Sequence, residues 1–240
     1  MHRRPNANEL PGHDTRPVDW TAIWLSVRLA TATTLVLLAI GVPLAYWIVF
    51  SPGRWKFLVE AVVALPLVLP PTVLGFYVLV AIGPLSPLGR AYARLAGRGL
   101  PFTFEGLLIA SVLYSMPFAV QPFAAEFASV DRRLLEVSWS LGVSRLATFR
   151  RVVIPLSVRG LVTGIVLSFA HTLGEFGVVL MVGGNLPGVT RTVSISIYDA
   201  VQSLDYAAAS RTSLLLLIVS FIILASTYSL QRSVWLKPRR

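Results

Sequence analysis

The chain has 240 residues, of which 55% are hydrophobic and only 13% carry a charge. A soluble domain has roughly 25% charged residues and a disordered chain has low hydrophobicity, so this composition and the mean hydropathy of +0.72 exclude both classes. The formal net charge of +10 accompanies no Cys/His finger and no aromatic–basic run typical of nucleic-acid binding, and the absence of cysteine excludes disulfides, thiol catalysis and thiolate metal sites. We therefore expect an all-α, polytopic membrane helical bundle.

The first predicted elements are a polar N-terminal tail and one long membrane span. The tail covers residues 1–19 and is not expected to be a secretory signal, because the apolar stretch after it is too long and contains no small-residue cleavage site. From 20 to 50 the only charged residue is Arg28. About 20 apolar residues cross a bilayer, so this stretch predicts a single, tilted transmembrane helix.

The second predicted span, over residues 57–82, contains three prolines: Pro66, Pro70 and Pro71. Proline breaks a helix, and a break inside a membrane is tolerated only where the freed backbone groups are buried in protein or line a wet cavity. The sequence therefore predicts a broken span at this position.

A loop over residues 83–104 separates this span from a third one, over about 104–123. Within the loop, Arg90, Arg94 and Arg98 recur every four residues with apolar residues between them. This spacing predicts an amphipathic helix at the membrane surface. Its arginines are expected to contact lipid headgroups, with an acidic patch on a partner protein as the alternative.

The remaining predicted elements are a charged helical segment, two more spans and a basic tail. The charged segment covers 124–156, and the fourth and fifth spans cover about 156–182 and 213–230. Between these spans, residues 183–210 are expected to form a turn-rich loop. Residues 232–240 form the basic tail, which leaves 20–231 as one membrane domain of about five spans.

Five spans place the two termini on opposite sides of the membrane. The basic turn at 51–56, the charged segment and the C-terminal tail hold twelve lysines and arginines, against eight on the other side. Basic residues are enriched in cytoplasmic loops. We therefore predict an external N-terminus, a cytoplasmic charged segment and a cytoplasmic C-terminus.

The charged segment has a pattern of two short helices joined at an angle. Glu136 to Leu141 is helical in pattern, and Gly142 can adopt the left-handed conformation that ends a helix. Ser144 is placed to N-cap a second helix that begins with Arg145. Leu146 and Phe149 are expected to form an apolar knob among arginines, and Pro155 marks the entry into the fourth span.

This segment resembles the EAA loop of permeases of binding-protein-dependent ABC importers. The family pattern is Glu-Ala-Ala, three residues, Gly, nine residues, then Ile-x-Leu-Pro. The matching residues in this chain are Glu136-Val137-Ser138, Gly142 and Val152-x-Ile154-Pro155, with Val-Ser in place of Ala-Ala. The resemblance implies that residues 131–155 form the coupling helix that docks on a cytoplasmic ATPase subunit. The implied coupling residues are Glu136, Gly142, Ser144, Arg145, Leu146, Phe149 and Pro155.

Three further stretches resemble molybdate-type permeases of this family: residues 65–75, 168–177 and 185–192. The resemblance covers about residues 20–230 and implies a type I importer fold, a homodimer in membrane lipid and a periplasmic or surface binding protein that delivers molybdate. Tungstate and sulfate permeases are close relatives, so those substrates stay open. The chain lacks a phosphate-binding loop with Lys-Ser/Thr, so no cofactor is expected and ATP hydrolysis is assigned to the partner.

The predicted translocation pathway combines helix breaks with hydroxyl groups. A tetrahedral dianion requires hydrogen-bond donors, which helix N-termini and freed backbone N–H groups supply. The residues assigned to this pathway are Pro66, Pro70, Pro71, Thr72, Ser168, Thr172 and Gly174. The alternative is that these prolines and glycines only kink the helices and allow close packing.

Glu175 is a carboxyl group inside the fourth span, where ionisable residues are functional candidates. His171 lies four residues earlier, on the same helical face. We expect the two to form a structural or gating pair. The alternatives are that Glu175 satisfies backbone groups freed near Gly174, or that the pair serves an intramembrane acid–base enzyme.

Overall fold

A computed structural model of the chain describes residues 18–235, with side chains except those of Tyr228 and of 230–235. Every regular element in this range is a helix, which confirms the all-α prediction. The predicted tails, apart from residues 18, 19 and 232–235, lie outside the described range. The helices are α1 (Trp20–Phe50), α2 (Lys56–Val68), α3 (Pro71–Ile82), α4 (Pro87–Ala96), α5 (Phe104–Ala128), α6 (Arg132–Ser140), α7 (Arg145–Thr148), α8 (Ile154–Leu156), α9 (Val158–Gly174), α10 (Gly177–Gly183), α11 (Val193–Gln202) and α12 (Tyr206–Trp235).

Three of these helices, α1, α5 and α12, are long and apolar enough to cross a membrane. Two bent pairs of helices are also long and apolar enough when each pair is taken together. They are α2 with α3, bent by 117°, and the 145–156 helices with α9, bent by 74°. Counting each pair as one span gives five spans, which is the predicted number. The second pair begins at Arg145, earlier than the predicted fourth span. The bend between α2 and α3 falls at Leu69 and Pro70, so the predicted break in the second span is confirmed.

The later elements differ from their predicted bounds. The fourth span has a break of its own, because α9 ends at Gly174 and α10 begins at Gly177. The predicted loop 183–210 contains α11, a ten-residue helix. This helix was missed because the loop begins with turn-forming residues. The last helix begins at Tyr206 rather than near 213, since the Asp205 side chain accepts a hydrogen bond from the backbone N–H of Ala208 (3.0 Å) and caps it.

Small residues bring α1, α5 and α9 together in the main core. A Cβ on Gly164 of α9 would lie 2.9 Å from the carbonyl oxygen of Ala119 in α5. Phe123 and Phe127 of α5 are buried beside it, together with Leu37 of α1. Close backbone approach through small residues is the usual packing of membrane helices, and here it fixes α9 against the centre of the bundle.

A second cluster joins α3 and α10 to α5. Val78 and Ile82 of α3 are buried against Val178 and Val182 of α10. A Cβ on Gly75 would come within 2.8 Å of the Cβ of Met181. The second halves of both broken spans are therefore packed against each other.

The predicted surface helix is α4, between Ser86, which caps it, and Gly97, whose φ of 70° ends it. Arg90 and Arg94 are exposed on it, as predicted. The prediction that Arg98 belongs to this helix is wrong. Arg98 lies beyond the helix end and forms an ion pair with Glu105 (2.6 Å).

Candidate functional site

The charged segment folds as two short helices around a glycine. The Asp131 side chain accepts a hydrogen bond from the N–H of Arg133 (2.9 Å) at the beginning of α6. Gly142 has a φ of 78°, and the Ser144 hydroxyl accepts one from the N–H of Ala147 (3.3 Å) at the beginning of α7. The predicted left-handed glycine and N-cap are both confirmed.

Side-chain contacts hold these two helices together. The hydroxyl groups of Ser138 in α6 and Thr148 in α7 are 2.8 Å apart, and Thr148 is buried. The Arg145 guanidinium lies over the Trp139 ring, 5.6 Å from its centroid. α6 and α7 therefore form one unit whose shape depends on the Gly142 turn.

This unit has an exposed apolar face, which we define as Leu134, Val137, Leu141 and Leu146. Leu141 is 77% exposed and Leu146 is 58% exposed, although burial of such side chains is normally favourable. Several large apolar side chains exposed on one short unit indicate a site of protein or membrane contact. Glu136 is exposed on the same helix as Val137.

Phe149 does not belong to this face, which corrects the predicted knob of Leu146 and Phe149. Its ring centroid lies 4.7 Å from that of Tyr46 and 5.8 Å from that of Phe127. A π-helical turn, Phe149–Val153, carries the ring inward, where aromatic packing stabilises it. Phe149 therefore anchors the unit to α1 and α5.

Pro155 lies in α8, at the point where the charged segment meets the fourth span. Ser157 separates α8 from α9, and the chain bends there by 74°. Pro155 is thus at the entry of the span, as predicted, and the α6–α7 unit is set at an angle to α9.

The breaks in the second and fourth spans touch each other. Pro71 is the first residue of α3 and Gly177 the first of α10. A Cβ on Gly177 would lie 2.7 Å from the Cβ of Pro71. Around this contact Pro70, Thr72 and Gly174 are exposed, so the structure brings the central pathway candidates to one surface.

The other pathway candidates are placed differently. Pro66 is buried within α2. Ser168 is buried and donates its hydroxyl hydrogen to the carbonyl oxygen of Gly164 (2.7 Å) in the previous turn. Thr172 is buried too, with its hydroxyl oxygen 2.9 Å from that of Ser115. These three side chains face the interior of the protomer rather than an open surface.

His171 has a set of partners that the sequence did not reveal. Its Nδ1 lies 2.9 Å from the Ser115 hydroxyl. Its ring stacks on Phe118 with the centroids 3.9 Å apart. All of these contacts are with α5, so His171 holds α9 to that helix.

The predicted pair of His171 and Glu175 is wrong. The helix ends at Gly174 and the backbone at Glu175 is extended, so Glu175 leaves the helical face that carries His171. Glu175 is 4% exposed. Its carboxyl group lies beside Ser111 and makes no well-formed hydrogen bond to any described residue, backbone included. The alternative of an acid–base enzyme required His171 and Glu175 to act as a pair, so the structure does not support it.

A polar network in the loop before α11 was missed from the sequence. Arg191 Nε donates to Asn185 Oδ1 (2.6 Å), and Asn185 Nδ2 donates to Asp199 Oδ2 (2.6 Å). Arg191 also pairs directly with Asp199 (3.3 Å). The network ties the loop to α11. In residues 18–235 no group of three metal-ligating side chains comes together.

Comparison with known proteins gives one family and several close relatives. The family model for the binding-protein-dependent transport system inner membrane component matches residues 38–239. The chain is 49% identical over 214 residues to the molybdenum transport system permease protein ModB of Azotobacter vinelandii, covering 89% of this chain and 95% of that protein. It is 38% identical over 211 residues to ModB of Mycobacterium tuberculosis, covering 87% and 78%.

Solved structures share the fold at low sequence identity. The MetNI methionine ABC transporter in an inward-facing conformation aligns with a TM-score of 0.67 at 17% identity, over 89% of this chain and 94% of that one. A bacterial alginate ABC transporter in complex with a pentasaccharide-bound periplasmic protein aligns with a TM-score of 0.74 at 16% identity, over 92% and 81%. The helical arrangement is therefore that of ABC transporter membrane subunits.

Proposed function

The chain belongs to the family of inner membrane components of binding-protein-dependent transport systems, and from this we propose that it is the permease subunit of an ABC importer for molybdate. The observation that carries the proposal is the 49% identity, over nearly the whole of both chains, to a molybdenum transport permease. A multi-pass membrane chain of this family is a part of a transporter and not an enzyme.

The proposed partner of the α6–α7 unit is a cytoplasmic ATPase subunit. The exposed apolar face supports this role, because a groove on another protein would bury it. Gly142 and Ser144 shape the unit, Arg145 and Leu146 lie at its exposed turn, and Phe149 transmits its movement to α1 and α5. Glu136 and Pro155 complete the coupling residues at the two ends of the segment.

The proposed pathway lies at the surface where the two helix breaks meet. α3 begins at Pro71, so the positive end of its helix dipole and the Thr72 hydroxyl lie beside the break. The N-terminal end of a helix favours the binding of an anion. We place two copies of the chain around this surface, with Pro70, Pro71, Thr72 and Gly174 lining the path, and a periplasmic or surface binding protein that delivers the anion.

The proposed orientation follows the distribution of basic residues. An external N-terminus puts the α6–α7 unit and the C-terminus in the cytoplasm. The natural chain has no cysteine, so Ser144→Cys is a clean reporter of orientation. A membrane-impermeant thiol reagent should label it only in inside-out vesicles, and labelling in intact cells would contradict the orientation.

Uptake by the reconstituted transporter tests the function. Proteoliposomes with the chain, its ATPase subunit and its binding protein should accumulate radiolabelled molybdate only when ATP is supplied. Tungstate and sulfate, which are also tetrahedral dianions, serve as competitors and as separate substrates. Uptake of tungstate or sulfate instead of molybdate would assign that anion as the substrate. Absence of ATP-dependent uptake of all three anions would refute the proposal.

A further inference from the structure

Arg28 is a charged residue inside the first membrane helix. It is the only charge between 20 and 50, and it lies eight residues after Trp20, about 12 Å along α1. Its side chain is exposed rather than turned into the bundle. Placing a cation at this depth in lipid costs free energy unless a polar group pairs with it. We therefore expect Arg28 to bind a polar partner.

The guanidinium group lies over an aromatic ring. Its central carbon lies 4.3 Å from the centroid of Phe104, at the beginning of α5. Phe104 is itself packed against Leu29 and Leu107. A cation over a ring face is attracted by the ring electrons, and the N–H groups of a guanidinium donate in a planar fork that can still bind an anion.

No carboxylate among residues 18–235 neutralises this charge. Glu105, the acidic residue next to Phe104, pairs with Arg98, and the other ion pair in the described part of the chain joins Arg191 to Asp199. Within the described part of the chain, the Arg28 guanidinium therefore has neither an ion-pair partner nor a hydrogen-bond acceptor.

Two exposed tryptophans mark the depth of the group. Trp20 is 65% exposed and Trp24 is 68% exposed, and both precede Arg28 at four-residue spacing on the same helical face. Tryptophans collect at the level of lipid headgroups. Helical side chains lean toward the N-terminus, so the guanidinium lies near Trp24, within reach of that level.

We propose that Arg28, seated on Phe104 beside Trp24, forms a binding site for one tetrahedral oxyanion. The guanidinium fork matches the paired oxygens of such an anion. Two sources supply this chemistry: the phosphate group of a phospholipid in the leaflet where α1 begins, and the free transported anion before it enters the pathway. The first source is independent of the proposed function, and the second rests on it.

Lipid retention tests the first source. Native mass spectrometry of the full chain, purified in mild detergent, should show phospholipid bound to the wild type and about tenfold lower occupancy in Arg28→Gln, the change expected from loss of one charge-assisted contact. Arg28→Lys keeps the charge but not the fork and should be intermediate. Phe104→Leu keeps the arginine and removes its support, so it gives the same test should Arg28→Gln fail to fold.

Arg211→Gln is the matched control. A cavity of about 570 Å³ between the beginnings of α1 and α12 places these two ends on the same side. Arg211, near the beginning of α12, donates from Nε to the carbonyl oxygen of Ala207 (3.1 Å). Its substitution removes the same charge and should leave lipid retention unchanged. Equal loss in both variants would mean general surface charge and overturn the site.

Equilibrium dialysis of delipidated protein against molybdate tests the second source. One molybdenum per chain in the wild type, measured by elemental mass spectrometry and absent in Arg28→Gln, would assign the free anion. Phospholipid loss alone would assign the lipid and would hold even if the transported substrate were another anion. If wild type and Arg28→Gln retain equal phospholipid and bind equal molybdate, the proposal is refuted.

Discussion

Gly177 at the beginning of α10 lies directly against Pro71 at the beginning of α3, so that a Cβ on Gly177 would come within 2.7 Å of the Cβ of Pro71. The breaks of two separate spans therefore share one contact. Gly75 and Met181 make a second close contact between the same two helices. Because interlocked helices move together more readily than apart, a shift at one break is expected to move the other.

We first predict that Gly177→Val abolishes molybdate uptake. The added side chain would overlap Pro71, and overpacking of this kind costs about 1–3 kcal/mol and shifts the backbone. Gly99→Ala is the control, since the nearest atom to a Cβ at Gly99 is the Cδ of Pro101 at an ordinary 3.7 Å, and it should transport normally. Thermal unfolding and uptake would be measured for both, and normal uptake by Gly177→Val would show that the contact is unimportant.

The second prediction concerns the backbone of Gly142, whose φ is 78°. Nothing lies within 4 Å of a Cβ at this position, so only conformation limits substitution. Asn tolerates the left-handed region, whereas a β-branched residue does not; Gly142→Val should be strained by about 1–2 kcal/mol and lose binding of the ATPase subunit. Gly142→Asn should keep it. Co-purification of the ATPase subunit with each variant measures this binding. Equal amounts of ATPase bound to the two variants would contradict the prediction.

Our third prediction separates two apolar residues that are three positions apart. Leu146→Ser removes an exposed side chain, so stability should stay within about 0.5 kcal/mol while ATPase binding falls. Phe149→Ala removes a packed ring and should cost about 3 kcal/mol. Thermal unfolding and ATPase co-purification would be measured for each. A destabilised Leu146→Ser that still binds the ATPase would reverse the assignment.

These residues show what the sequence could and could not reveal. Proline, a glycine that adopts positive φ and an N-cap serine act through their own backbone, so the break at Pro70, the turn at Gly142 and the cap at Ser144 were predicted correctly. Phe149 depends on rings from α1 and α5, and its burial could not be inferred from local spacing.

The break in the fourth span explains why the predicted pair of His171 and Glu175 is wrong. A helical pattern continued past Gly174 makes His171 and Glu175 neighbours, but the chain leaves the helix there, and His171 instead meets Ser115, 56 residues earlier. The contact of Pro71 with Gly177 likewise joins residues far apart in sequence. Such contacts follow from helix packing, which a single sequence does not specify.

Our fourth prediction is that Glu175→Gln folds and transports within about twofold of wild type, a difference below 0.5 kcal/mol. Both carboxyl oxygens are buried without a well-formed hydrogen bond, so an amide of the same shape removes a potential charge from the interior. Glu175→Lys, which introduces an unpaired cation, should not accumulate in the membrane. A folded Glu175→Gln chain without uptake would contradict this and assign a gating role.

The central claim, molybdate import through this chain, is tested most directly by cellular molybdenum at limiting external molybdate. Elemental mass spectrometry would compare a deletion strain, its complement, and a complement with Gly142→Pro, which distorts the coupling turn. We predict low molybdenum in the deletion, recovery with the wild type and no recovery with correctly inserted Gly142→Pro. Unchanged molybdenum in the deletion strain would contradict it.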